Sequence, residues 1–267
     1  MDPQHLVLFD VDGTLTQARR PIQKEMLKAL RELSRYAEIG FLTGSGLEYI
    51  KEQLWPALAD PIIRQNCHLL PCNGTEYVIP YGDEEIIFNA MSKEYMIENI
   101  GKQDFINLMG LLCKLQAELI NENSDLPLTG NFVQNRGSMI NWCPIGRNAE
   151  QEDRNIFQAL DNLYGIRRKY IQKLKDYIFA ANMNVTVKLG GNTSFDIFPN
   201  GWDKTFALKH FEGSSWVFWF VGDRCSPIGN DYEIFTALKD SGRAYEVGSP
   251  EETIDIIDFH ILRDLGA

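Results

Sequence analysis

The chain has 267 residues, 44% of them hydrophobic and 24% charged, with a formal net charge of −11, the composition of a globular protein with room for one large or two modest domains. That charge excludes a broad nucleic-acid surface, so no nucleic-acid partner is expected. No apolar run is long enough to span a bilayer, and Asp10 and Asp12 come too early for a secretory signal, so the expectation is a cytoplasmic protein with no membrane partner.

The first predicted element is a strand over 5–9, a short apolar run of the kind buried on both faces, and it ends in Asp10-Val11-Asp12-Gly13-Thr14. Gly13 lets the chain turn. Residues two apart in extended backbone point the same way, so Asp10 and Asp12 share one side at the carboxyl edge of a sheet, where α/β proteins bind ligands. One carboxylate there can attack phosphorus while its neighbour handles protons, and hard oxygen ligands suit Mg²⁺. The competing reading is a strand end closed by an Asx turn.

The spacing of Met26, Leu27, Leu30 and Leu33 predicts an amphipathic helix over 23–36, started by Pro21. A strand over 38–43 and a helix over 47–58 follow, joined by Thr43-Gly44-Ser45-Gly46. There a hydroxyl and backbone N–H groups can face a phosphate oxygen; the alternative is a helix N-cap with flexible glycines. Strands over 67–71 and 76–80 flank an Asn73-Gly74 turn. This alternation favours right-handed βαβ units and a parallel sheet.

The middle has another rhythm. Helix is predicted over 93–121, interrupted near Gly101 and Gly110, and again over 151–181, with strands over 131–134, 138–143, 185–189 and 194–198. Arg136-Gly137 between two short strands suggests a hairpin, hence an antiparallel sheet with helices on one face. Ser194 and Asp196 stand two apart in a strand and so face the same way. From Trp202 the first rhythm returns, with helices over 203–211, 230–238 and 250–262 and strands over 216–221 and 244–247. The expected fold is α/β: a Rossmann-like parallel-sheet core from 1–81 and 199–267, with an inserted α+β cap domain over 82–198.

Asp223 directly follows the strand over 216–221, so it too sits at a carboxyl edge. Three carboxylates from two strand ends can meet at one Mg²⁺, with Asp231 in a supporting position. Lys204, at a helix start, can offer a positive point charge to a phosphoryl group. The five cysteines, Cys67, Cys72, Cys113, Cys143 and Cys225, are odd in number and lack a C-x-x-C pair, and read as reduced thiols.

In this order the elements resemble the haloacid dehalogenase superfamily of phosphotransferases. The segments 8–19 (LFDVDGTLTQAR), 144–147 (PIGR), 190–204 (GGNTSFDIFPNGWDK) and 222–235 (GDRCSPIGNDYEIF) are similar to the eukaryotic-type phosphomannomutases, and the likeness covers nearly the whole chain. The resemblance implies that Asp10 is the phosphorylated nucleophile and Asp12 the general acid and base. It implies that Mg²⁺ is held by Asp10, the backbone carbonyl of Asp12, and Asp223. It places the grip on the substrate's distal end at Arg136, Arg147, Arg154, Ser194 and Asp196 of the cap, with Arg19 from the core. The partners it implies are a hexose phosphate and a hexose bisphosphate, and it suggests a homodimer joined through the caps.

The chain departs from the family in places. Thr43-Gly44-Ser45-Gly46 stands where Gly-Gly-Ser-Asp is usual, and Arg136-Gly137-Ser138-Met139 where Arg-Asn-Gly-Met is usual. Ala237 replaces an aspartate that helps hold a second cation. The leading expectation is a mutase that converts a sugar 6-phosphate and a sugar 1-phosphate through a bisphosphate. The rivals are a sugar-phosphate phosphatase in which Asp12 activates water, and an idle sugar-phosphate sensor. A sensor predicts loss of Asp10 or Asp12, and both are present.

Overall fold

Strand β1 (Gln4–Phe9) is apolar and buried toward its end, as a strand covered on both faces must be. This computed structural model describes residues 4–213 and 215–267. After the loop carrying Asp10, α1 (Lys24–Leu33) buries Met26, Ala29, Leu30 and Leu33 as one stripe. Then come β2 (Glu38–Leu42), α2 (Leu47–Ala59), α3 (Pro61–Gln65) and β3 (Cys67–Leu70). Helix α3 is too short to show a period in sequence; the Asp60 carboxylate starts it by accepting from the Ile62 and Ile63 N–H groups. Strand β4 (Glu76–Tyr81) returns antiparallel to β3 after a turn in which Asn73 and Gly74 both take positive φ. Strand β5 (Ile87–Lys93) pairs antiparallel with β4. That pairing moves the expected 81/82 boundary, because the first compact unit runs to Lys93 and resumes at Gly201.

The inserted unit spans Glu94–Asn200. It holds α4 (Met96–Ile100), α5 (Lys102–Glu122), β6 (Val133–Asn135), β7 (Ile140–Trp142), α6 (Gln151–Tyr164), α7 (Ile166–Ala180), β8 (Val185–Gly190) and β9 (Ser194–Pro199). Gly101, at φ 84°, separates α4 from α5, but Gly110 lies within continuous α5, so only the first of two expected interruptions occurs. The helix expected over 151–181 is two helices, divided at Gly165 in the left-handed conformation. The four strands form an antiparallel sheet in the order β6-β7-β9-β8. Its apolar face includes Trp142 stacked on Phe195 with ring centroids 4.7 Å apart.

The chain returns to the first unit through the helix expected over 203–211, which is a 3₁₀ helix, Lys204–Phe211. Strand β10 (Trp216–Gly222), α8 (Tyr232–Lys239), β11 (Ala244–Glu246) and α9 (Pro250–Ile256) complete it, and α9 continues into a π-helical turn over Ile257–Ile261. The seven-stranded sheet has the order β11-β10-β1-β2-β3-β4-β5. All neighbours from β11 to β3 are parallel. The chain therefore leaves β1 in one direction toward β2 and arrives from the other at β10. That reversal is the switch point at which open α/β sheets bind ligands. No helix among the described residues is long and apolar enough to cross a membrane.

Candidate active site

The register that pairs Phe9 with Val221 brings the carboxyl ends of β1 and β10 level, and the Asp10 N–H donates to the Val221 carbonyl at 3.0 Å. Asp10 follows β1 and Asp223 follows β10, so both carboxylates leave the same edge. With Asp231 they form a cluster whose ligand atoms all lie within 4.8 Å of one another. Gly13 is required for this approach. Its φ is 91°, and a Cβ there would stand 2.7 Å from the Asp223 carboxyl carbon.

Lys204 is wholly buried and donates to Asp10 Oδ1 and, at 2.5 Å, to Asp231 Oδ1. It begins a 3₁₀ helix capped by Asp203, which accepts from the Thr205 N–H at 2.9 Å. The Asn73-Gly74 turn packs on that helix, with Asn73 Nδ2 donating to the Trp202 carbonyl at 3.2 Å. Burial would push the Lys204 ammonium down, but the Asp10 and Asp231 carboxylates hold it well above its ordinary value. Burial pushes Asp10 well up despite Lys204, with Asp231 and Asp223 adding to the rise. Asp223 is pushed up to about 6 by burial and by Asp231.

Three carboxylates face the Lys204 ammonium and the Arg224 guanidinium, whose Nε lies 3.6 Å from Asp223 Oδ2, so the cluster is still short of positive charge. Asp223 Oδ1 is buried and has no hydrogen-bond partner among the described residues. Both oxygens of Asp231 are occupied, Oδ1 by Lys204 and Oδ2 by the Arg224 N–H at 3.0 Å. An all-oxygen set with an orphaned carboxylate oxygen fits a hard divalent cation, held by Asp10 and Asp223 while Asp231 fixes Lys204.

Asp12 is placed differently from the alternation argument. The backbone leaves the extended conformation at Val11, whose carbonyl accepts from the Leu15 and Thr16 N–H groups at 3.0 Å. The Asp12 carboxylate is held by α2. Tyr49 Oη donates to both its oxygens at 2.8 Å, and Gln53 Nε2 approaches Oδ1 at 3.4 Å. Thr16 Oγ1 donates to Gln53 Oε1 at 2.8 Å. The Arg19 N–H also donates to Asp12 Oδ1, at 3.0 Å, with Arg19 at φ 61°. Arg19 thus meets Asp12 through its backbone. Burial and the Asp12 charge push the Tyr49 phenol up, so it stays a neutral donor. Sequence reasoning missed Tyr49 and Gln53, although i, i+4 spacing on the predicted helix puts them on one face.

In the loop after β2, Thr43 Oγ1 accepts from the Ser45 N–H at 3.1 Å. The residue capping α2 is Gly46, without a side-chain cap bond, so neither Thr43 nor Ser45 serves as the helix cap. The loop is tied to the next turn, the Asn73 N–H donating to the Thr43 carbonyl at 2.8 Å and the Cys72 N–H to the Ser45 carbonyl at 2.9 Å.

The inserted unit gathers its own polar set. Asn141 Nδ2 donates to Asp196 Oδ1 at 2.7 Å and to Ser194 Oγ at 3.0 Å. Arg136 lies 3.8 Å from Asp196 Oδ1, and Arg147 Nη1 reaches Asn141 Oδ1 at 3.5 Å. Arg154 is buried and donates to the Ala149 carbonyl, to Thr193 Oγ1 and to the Arg147 carbonyl at 3.0, 2.8 and 3.2 Å. It therefore shapes the loop that presents Arg147. Asn141 was not singled out from sequence, but as the polar residue between Ile140 and Trp142 it carries the signal of a strand with one wet face.

A model of the family described as eukaryotic phosphomannomutase matches residues 26–263. The phosphomannomutase of Saccharomyces cerevisiae is 36% identical over 261 residues, 96% of this chain and 93% of its own. That of Schizosaccharomyces pombe is 37% identical over 94% of this chain and 92% of its own. Among solved structures, an IMP-bound Plasmodium falciparum IMP-nucleotidase superposes with a TM-score of 0.69 over 99% of this chain and 68% of its own, at 12% identity. The C-terminal domain of C. albicans trehalose-6-phosphate phosphatase gives 0.56 over 96% of this chain and 91% of its own, at 14% identity. At such identities these two show the fold alone.

Proposed function

The chain belongs to the eukaryotic phosphomannomutase family, and from that premise we propose that it interconverts mannose 6-phosphate and mannose 1-phosphate through an aspartyl-phosphate and a hexose bisphosphate. Asp10 is the nucleophile. Lys204 holds Oδ1, and Oδ2 attacks phosphorus. The bond from phosphorus to the sugar oxygen breaks, and Asp12 gives that oxygen a proton. In the return step another sugar hydroxyl attacks the phosphoryl group on Asp10, Asp12 takes its proton, and the Asp10 carboxylate is released.

Asp10, Asp223 and the Asp12 backbone carbonyl would hold Mg²⁺, which when bound neutralises charge on the phosphoryl oxygens. The Thr43 and Ser45 hydroxyls bind those oxygens, the Thr43 hydroxyl held by the Ser45 N–H. Arg136 and Arg147 grip the phosphate that is not reacting, because planar guanidinium forks match phosphate, and Arg19 gives the first unit a guanidinium of the same kind. Ser194 and Asp196 take sugar hydroxyls. Arg154 keeps Arg147 in place.

The observation that carries this reading is that the phosphoryl-transfer carboxylates and the arginine set are both present and each is locally organised. A mutase needs the second set, since either phosphate must be held while the other reacts. The named relatives favour transfer to sugar over hydrolysis. The absence of disulfides among the described cysteines suits a cytoplasmic enzyme. A homodimer through the inserted unit is carried over from the family resemblance. The test is conversion of mannose 1-phosphate to mannose 6-phosphate with Mg²⁺ and a bisphosphate activator. Brisk phosphate release without isomerised sugar would overturn the reading in favour of a phosphatase.

A further inference from the structure

The strand register lines four polar residues across the sheet of the inserted unit. Gln134 stands opposite Asn141, Asn141 opposite Asp196, and Asp196 opposite Lys188. Opposed residues in antiparallel strands share a face, so this is one row, three strand spacings of about 4.8 Å from end to end. Their sequence neighbours Ile140, Trp142, Phe195, Ile197 and Val187 belong to the apolar core beneath.

The centre of the row is wired, Asn141 donating to Asp196 and Ser194, Arg136 facing Asp196 and Arg147 donating to Asn141. The β6 end is not. Gln134 Oε1 is buried and has no hydrogen-bond partner among the described residues. Keeping a buried amide oxygen unpaired is unfavourable. An acceptor kept in that state beside a binding row awaits a donor. A phosphate dianion offers none to it, whereas a sugar hydroxyl does.

We propose that Gln134 is a further substrate-binding residue, its Oε1 accepting a hydrogen from a hydroxyl of the hexose ring. The row from Gln134 to Asp196 then reads the sugar as a polyol, while Arg136 and Arg147 read its phosphate. This rests on the sugar-phosphate reading above and adds which part of the sugar is recognised, and by what.

Gln134→Met keeps the length of the side chain and removes the acceptor; Gln134→Glu keeps the acceptor. Both are compared with the parent by calorimetric titration with mannose 1-phosphate and its monodeoxy analogues, without Mg²⁺ or bisphosphate so that nothing turns over. The parent is expected to bind one deoxy analogue about fivefold more weakly than mannose 1-phosphate. Gln134→Met should lose that distinction by binding both weakly, and Gln134→Glu should retain it. The thermal midpoint of Gln134→Met should be unchanged or higher, because an orphaned acceptor has gone.

Parent-like discrimination by Gln134→Met would overturn the proposal. So would uniform weakening across the series with a lowered midpoint, which marks a structural role. If the parent binds these sugars as expected but does not isomerise them, the mutase reading falls and this one stands. If the parent isomerises them and Gln134→Met discriminates as the parent does, only this one falls. A parent that binds none of them overturns both.

Discussion

The phenolic hydroxyl of Tyr49 donates to both carboxylate oxygens of Asp12, at 2.8 Å each. A proton shared across two oxygens fixes the plane of the carboxylate as well as its position, while the Arg19 N–H and Gln53 hold Oδ1 from other sides. Tyr49→Phe is expected to lower kcat by about tenfold to a hundredfold, since a hydrogen bond to a charged group contributes roughly 1.5–3 kcal/mol. KM should stay within about twofold if the bond matters only for proton transfer. Steady-state isomerisation kinetics check this, and a loss carried by KM would place Tyr49 in substrate binding instead.

The acid cluster makes the metal-free protein sensitive to pH. Asp223 rises from 3.8 to about 6 on folding, through burial and through Asp231. The folded form therefore binds this proton more tightly. The stability it contributes is full below 3.8 and is lost as pH rises through about 6, an effect of about 3 kcal/mol. Thermal unfolding between about pH 4 and about pH 7, without metal, should show this loss in the parent and a smaller one in Asp223→Asn. Mg²⁺ should stabilise the parent more at the upper end than at the lower. A parent and variant with parallel pH profiles would refute the assignment.

Gly13→Ala joins two penalties at one atom. The residue sits at φ 91°, and the added carbon would collide with the Asp223 carboxyl group. A loss of about 1–3 kcal/mol in stability is expected, together with weaker Mg²⁺ binding. Unfolding curves and Mg²⁺ titration measure the two effects separately, and a parent-like midpoint would show that the loop relaxes freely.

Two arginines of the inserted unit should fail in different ways. Arg154 is buried and holds three acceptors, so Arg154→Ala should lower stability by about 2–4 kcal/mol and raise KM with it. Arg147→Ala should raise KM by about tenfold or more with little change in midpoint, the mark of a lost phosphate contact. Matching midpoints for the two variants would contradict the structural part assigned to Arg154.

Asp10 and Asp223 were legible because each follows an apolar run directly, and a strand's end is where its alternation stops. That they come from neighbouring strands was not, since the β1–β10 pairing joins residues more than two hundred positions apart, such as Phe9 and Val221. Strand β5 was missed because most of its residues are exposed and it lacks the alternation of a half-buried strand. Tyr49, Gln53 and Asn141 act through other side chains, and such dependence leaves no period in a sequence. Arg154 was grouped with the phosphate-binding arginines by resemblance; the three acceptors it holds give it a structural part that a sequence does not display.

The placement of β10 beside β1 also bears on how the molecule is made. Asp10 is synthesised well before its partners Lys204, Asp223 and Asp231, which lie beyond the whole inserted unit Glu94–Asn200. The pairing that joins them is among the longest-range in the chain, and such contacts close late in folding. During synthesis the first acidic motif is exposed without its lysine, and a chain halted before β10 carries that motif with no means of assembling the cluster. Chemical competence therefore arrives only with β10 and the segment around it, after the inserted unit has emerged complete.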